Sequence, residues 1–320
     1  VSDFDFSGIS QPDATPTAPI ADLSYRGYEG KLHTRAARWW IVSLEMLRIY
    51  LRKPGFWGLA LLAALAYAVI VVMVYTGAFA MMGAGSPDAF TQRFFQAFSQ
   101  QQFWLMMIGL MVGSGAIATD NRANALLVYL SKPITKLDYL LGKWMGIFLI
   151  LYGVTLLPAL TAYSYCALSL TGQGFYASDP HLLWRIVFAT LVPPVVHASL
   201  LIGFSAWSKS ARIAGAAYFG LYIVTGIFSG IVGNLEFRAH VHNARLIQSL
   251  SVSGAVEGLA QNIYHVTLQV PHFRRHTGEV FAAALAPPPL YPMLALVAGL
   301  IVVGILAARA KIRAVEVVRG

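Results

Sequence analysis

Residues Ile117–Gly146 read IATDNRANALLVYLSKPITKLDYLLGKWMG, a charged, proline-interrupted stretch between two long apolar runs. Thr119 or Asp120 is placed to cap a helix with the body NRANALLVYL, and Pro133 ends it after Ser131 and Lys132. Thr135-x-x-Asp138 then has capping-box spacing, the reciprocal pairing that opens a helix. Two such signals around a short helix predict a segment parallel to a membrane face, with Leu126, Leu127, Tyr129 and Leu130 as an apolar ridge. A plain connector between helices needs roughly two to eight residues. This link takes about twenty and keeps its apolar side chains, which favours a docking element that presses on a partner.

The flanking runs fix the class. Hydrophobic residues make up 57% of the chain and charged residues 12%, about half the charged share of an average soluble protein. Six runs approach the roughly 20 apolar residues that cross a hydrocarbon core, near 57–79, 103–118, 138–170, 182–206, 212–233 and 291–309. The expected fold is an all-α membrane protein of six transmembrane helices, 31–320, behind a flexible tail, 1–30. That tail carries Asp3, Asp5, Asp13 and Asp22 with Pro12, Pro16 and Pro19, and it lacks the basic and apolar regions of a signal peptide.

A net charge of +9 on one soluble face would suggest nucleic acid, but its distribution points to a membrane. Of the 23 Lys and Arg, seven precede the first span and four lie in or beside the Ile117–Gly146 link. Lys209 and Arg212 add two, and four follow Ala308, all on one side of the six-span plan. Positive charge marks the cytoplasmic side, so both termini are expected inside a plasma (inner) membrane. The basic excess then meets anionic lipid headgroups rather than nucleic acid.

Residues 35–53 predict a helix stopped by Pro54. Arg38, Glu45, Arg48 and Arg52 form a charged stripe, and Trp40 lies away from it, the pattern of a helix in the membrane interface. Gly109, Gly113 and Gly115, and later Gly226 and Gly230, have spacings that let helices approach closely or self-associate. Pro158, Pro193 and Pro194 predict kinks. After the fifth span, 234–290 reads as an outer cap of short helices.

Several chemistries are missing. No phosphate-binding G-x-x-x-x-G-K-[ST] occurs; Gly142-Lys143-Trp144 lacks the earlier glycine and the hydroxyl residue. No carboxylate or lysine sits in the middle of a span, where ion-driven transporters commonly place one. His197 is the mid-span titratable group, and a lone histidine there is more often packed and hydrogen-bonded than a proton relay. His240, His242, His265, His272 and His276 gather in 234–290. The HFRRH spacing of His272 and His276 suits two ligands on a helix, but no cysteine joins them, so no metal is assigned. No nucleophile–base–acid order supports catalysis, and Cys166, the single cysteine, cannot form an intrachain disulfide.

Leu127-Val128-Tyr129-Leu130-Ser131-Lys132-Pro133-Ile134 and Tyr139-Leu140-Leu141-Gly142-Lys143 resemble the coupling-helix region of ABC type-2 transporter permeases. The six-span plan with an interfacial first helix extends the resemblance to most of the chain, although 234–290 exceeds the short outer hairpin of that family. The resemblance implies an exporter subunit without enzymatic activity or cofactor of its own. It would pair with a second permease subunit, as homo- or heterodimer, above ABC ATPase subunits that bind ATP and magnesium. It further implies ATPase coupling through residues 120–131 and their exit, with Asp120, Arg122, Asn124, Leu126, Leu127, Tyr129, Leu130, Ser131, Lys132 and Pro133 at the contact. The alternative from another class is a membrane scaffold or anchor that transports nothing.

Overall fold

The computed structural model describes residues 38–78, 88–123, 135–172, 175–238, 246–247, 249–273 and 280–311. α1 (Arg38–Leu51) ends just before Pro54, which begins α2 (Pro54–Tyr75) at a position where the missing N–H costs nothing. α3 (Ala89–Gly113) leads to the short α4 (Ala118–Arg122). α5 (Lys136–Ser169), the single turn α6 (Phe175–Ser178), α7 (Leu182–Trp207) and α8 (Ala211–Arg238) follow. α9 (Val252–Tyr264), β1 (Leu268–Phe273), β2 (Val280–Leu285) and α10 (Leu290–Lys311) complete the order.

Among the described residues, six helices are long and apolar enough to cross a membrane: α2, α3 with its continuation to Arg122, α5, α7, α8 up to Val232, and α10. Five start or stop within a few residues of the expected spans. The second starts at Ala89, well before residue 103. The polar run Gln96–Gln102 hides its first turns from a hydropathy reading, yet Gln101 and Gln102 are buried within the bundle.

α7 is the central helix, packed against α3, α5, α8, α9 and α10. Its tightest neighbour is α10, because Gly203 and Gly304 meet where the two helices cross. A Cβ on Gly203 would stand 2.8 Å from the Gly304 carbonyl oxygen, and one on Gly304 would stand 2.9 Å from the Leu200 nitrogen. By contrast α2, α8 and α10 turn Leu61, Leu65, Val69, Ile227, Phe228 and Val303 outward. Apolar side chains on that surface suit a hydrocarbon solvent.

The glycine spacing of α3 is used inside the chain. A Cβ on Gly113 would come within 2.8 Å of Leu201 Cβ, and one on Gly109 within 3.0 Å of Leu201 Cδ1. α3 therefore seats Leu201 of α7. On α8, a Cβ at Gly230 would meet open space and one at Gly226 only Ser253, at 3.6 Å.

The helices run on through their prolines. A proline removes the donor for the carbonyl four residues earlier, so Pro158 frees Val154 and Pro194 frees Thr190. Gln101 Nε2 donates to the Val154 carbonyl at 3.1 Å and to Ala63 at 3.2 Å. The Thr155 hydroxyl reaches the Thr190 carbonyl at 3.2 Å, sharing its proton with carbonyls of its own helix. Neighbouring helices thus satisfy these two freed carbonyls, those of Val154 and Thr190.

The 234–290 stretch departs from an outer cap of short helices in two ways. β1 and β2 form an antiparallel hairpin, with Leu268 opposite Leu285 and Phe273 opposite Val280. α9 is packed into the end of the bundle, with Val256, Ala260 and Tyr264 buried. The Tyr264 ring meets Phe95 and Phe98 of α3, with centroids 6.0 and 6.2 Å away. Its small residues at 254, 255, 258 and 260 admit that close packing, a feature that helical periodicity alone does not separate from a surface helix.

Candidate functional site

The expected docking link opens with α4, and its position follows from three sets of contacts. Ser205 Oγ on α7 accepts from the backbone N–H groups of Ile117 and Ala118, both at 2.9 Å, and donates to the Ser114 carbonyl at 2.9 Å. One hydroxyl therefore supplies partners for two amides at the start of α4, in place of a capping side chain. Asn121 Nδ2 adds a longer bond to the Ala206 carbonyl at 3.4 Å.

Thr119 and Asp120 do not cap this helix. Its first residue is Ala118, Ile117 stands at the cap without a side-chain bond, and the Thr119 hydroxyl donates to the Gly115 carbonyl. Asp120 points across to α5. Its Oδ2 lies 2.8 Å from Lys143 Nζ and accepts from the Tyr139 hydroxyl at 2.7 Å. The Lys143 and Asp120 side chains are 11% and 16% exposed. A pair this sheltered is screened little by salt and holds only while both members remain.

The sequence capping box at Thr135 and Asp138 is present in full. Asp138 N donates to Thr135 Oγ1 at 3.1 Å, and Thr135 N donates to Asp138 Oδ2 at 3.1 Å. That box starts α5, whose first two turns carry Tyr139 and Lys143 to Asp120. Trp144, on the next residue, donates through Nε1 to Ser199 Oγ of α7 at 2.9 Å.

α1 closes the same corner. Val42, Ser43 and Met46 are buried against α5, and Ser43 Oγ donates to the Gly142 carbonyl at 2.9 Å. Gly142 is required there: an added Cβ would lie 2.6 Å from the Trp39 carbonyl oxygen and 2.7 Å from Val42 Cβ. Glu45, Arg48 and Arg52 are exposed on the opposite side, together with Trp40, Ile41 and Ile49. Arg38 is half-buried. The Tyr50 phenol is held above its ordinary range, first by burial and then by the Asp120 carboxylate. α1, α4, α5 and α7 therefore meet at one end of the bundle as a braced unit.

Of the residues expected at the docking contact, Arg122 is exposed and Asp120 is committed to the brace. Asn124, Leu126, Leu127, Tyr129, Leu130, Ser131, Lys132 and Pro133 lie outside the described residues. Sequence reading left Tyr139, Lys143 and Ser205 without a role. Tyr139 and Lys143 share a face of α5 at helical spacing, a signal that becomes legible only once Asp120 is placed opposite them.

The histidines divide. His197 is fully buried on α7 and its Nδ1 shares a hydrogen bond with the Tyr218 hydroxyl of α8, a packed arrangement. His265 ends α9 in the left-handed conformation, φ 55°. His272 lies in strand β1, so the helical spacing expected for it with His276 does not hold, and His240, His242 and His276 fall outside the described residues. Among the described residues, no group of three or more His, Cys, Asp or Glu is placed to hold a metal.

The sequence model of one protein family, described as ABC-2 family transporter protein, matches residues 39–305, from the start of α1 to well inside α10. No curated protein matches the chain.

Proposed function

The chain belongs to the ABC-2 family of transporter proteins, and on that footing we propose that it is a permease subunit driven by a separate ABC ATPase. The observation that carries this reading is the brace around Asp120. A force applied beyond Ala123 reaches α5 through Asp120–Lys143 and Asp120–Tyr139, and reaches α7 through Ser205. The segment from Asp120 to Pro133 then acts as the lever on which the ATPase bears, with Leu126, Tyr129 and Leu130 as its apolar ridge. Closure of an ATP-bound, magnesium-bound ATPase dimer would move α4, α5 and α1 together, a rigid-body transition of packed helices.

The orientation rests on charge. Arg48, Arg52, Lys53, Arg122, Lys209, Arg212, Arg309 and Lys311 all belong to the Asp120 end of the bundle, which by the positive-inside rule supports a cytoplasmic position for that end and for both termini. α1, with Trp40 and Ile41 exposed beside Glu45, Arg48 and Arg52, lies in the inner interface of the plasma membrane and meets its lipids. Two permease subunits, identical or different, pair above two ATPases, and the substrate moves outward.

The test is a double substitution, Leu126→Asp with Tyr129→Asp, in chain co-expressed with its ATPase. Co-purification of the ATPase and substrate-stimulated ATP turnover are both expected to be lost while the permease stays folded. Unchanged binding and turnover would overturn the lever assignment.

A further inference from the structure

At the end of the bundle opposite Asp120, a cavity of about 260 Å³ opens between α8 and the first turns of α9. Its polar walls include Ser229 of α8 and Ser251, Ser253, Glu257 and Gln261 at α9, while glycines of both helices keep it open. Drug-sized ligands occupy roughly 300–1,000 Å³, so this space suits a small headgroup.

Glu257 gives the cavity its character. Its Oε1 accepts from the Ser99 hydroxyl of α3 at 2.7 Å. The ion pairs among the described residues are Asp120–Lys143 and Asp179–Arg185, and neither includes Glu257. Burial holds its carboxyl above the ordinary range, the Ser99 bond opposing. A sheltered carboxylate with one neutral donor is satisfied by a proton or by a cation brought to it.

The other walls decide which cation fits. Serine oxygens can accept hydrogen bonds but do not supply the several charged oxygen ligands of a calcium or magnesium site. A primary ammonium carries one charge and three N–H donors, which matches one carboxylate flanked by hydroxyls. We propose that this cavity binds a small ligand through a primary ammonium group, with Glu257 as counter-ion and Ser229 and Ser253 as hydrogen-bond acceptors. The site is independent of the lever at Asp120 and stands or falls separately from it.

An ammonium of this kind can come from a soluble amine or from a phosphatidylethanolamine headgroup, and one experiment separates them. Binding of radiolabelled 2-aminoethanol is measured on the full chain in phosphatidylcholine nanodiscs. Saturable binding is expected, at least tenfold weaker in Glu257→Gln, whose amide oxygen still accepts from Ser99, and several-fold weaker in Ser229→Ala. Loss of the signal on adding phosphatidylethanolamine to the discs assigns the site to the lipid headgroup; persistence assigns it to a soluble amine. Absence of saturable binding in phosphatidylcholine discs, or equal binding by Glu257→Gln, overturns the proposal.

Discussion

Gln101 Nε2 on α3 donates at 3.1 Å to the carbonyl of Val154 on α5, the carbonyl that Pro158 leaves without its helical donor. A proline in a membrane helix is tolerated where a neighbour re-satisfies the freed group, and here the neighbour is a fully buried amide. The second N–H of the same amide goes to Ala63 of α2, so Gln101 ties three helices at one point.

Replacing Gln101 by leucine should destabilise the fold by about 1–3 kcal/mol, the cost of leaving a buried carbonyl unpaired. In a Pro158→Ala background the restored N–H serves Val154, and the same substitution should cost less. Thermal unfolding of the four proteins in detergent checks the coupling, which a leucine effect unchanged by the proline background would refute.

Breaking the Asp120–Lys143 pair from one side should be worse than removing both charges. Lys143→Met leaves Asp120 sheltered with the Tyr139 hydroxyl as its partner among the described residues, at a cost of about 3–5 kcal/mol by the general behaviour of buried pairs. Asp120→Asn with Lys143→Met should recover part of that stability. Unfolding midpoints check the stability, and ATP turnover with the co-expressed ATPase checks the lever: both variants should remain uncoupled.

Gly304→Ala should lower the unfolding midpoint strongly, because its Cβ would collide with the backbone of α7 at Ser199 and Leu200. Gly299→Ala, one turn and more away on α10 with nothing within 4 Å of the added carbon, should be neutral or slightly stabilising. Equal effects at the two positions would contradict the crossing.

Glu257 should give stability a defined pH slope. Burial raises its folded-state pKa above the ordinary value of 4.5, so between those two values the folded protein holds more protons than the unfolded chain. Stability must then fall as pH rises through that window and level off above it. The groups facing it are Ser99 from α3 and Tyr222 from α8. In Glu257→Gln this component should vanish, so the midpoint difference between variant and wild type grows with pH and then becomes constant. A difference independent of pH would refute the assignment.

The parts of the site that were legible early are those set by local chemistry. Thr135 and Asp138 show their spacing in the sequence, and the box forms because both partners lie within one turn. Pro54 marks the break between α1 and α2 for the same local reason. Asp120 was legible as a polar residue at a helix start, but its partners are not its nearest neighbours: Tyr139 and Lys143 are on another helix, and Ser205, which holds the Ile117 and Ala118 amides, is on a third. Gly109 and Gly113 advertise close approach without naming Leu201 as the side chain they receive.

By itself the sequence determined the class of the molecule, six apolar helices with basic residues gathered at one end, because burial of apolar length in a bilayer and capping within a turn depend on residues close in the chain. Only the tertiary structure decided that Gln101 belongs inside a membrane-spanning helix, that residues 252–264 pack into the bundle, and that Asp120 is a brace rather than a cap. Each of those outcomes depends on a partner tens of residues away, and a side chain's partner in space is fixed by the packing of whole helices, not by the pattern of any one of them.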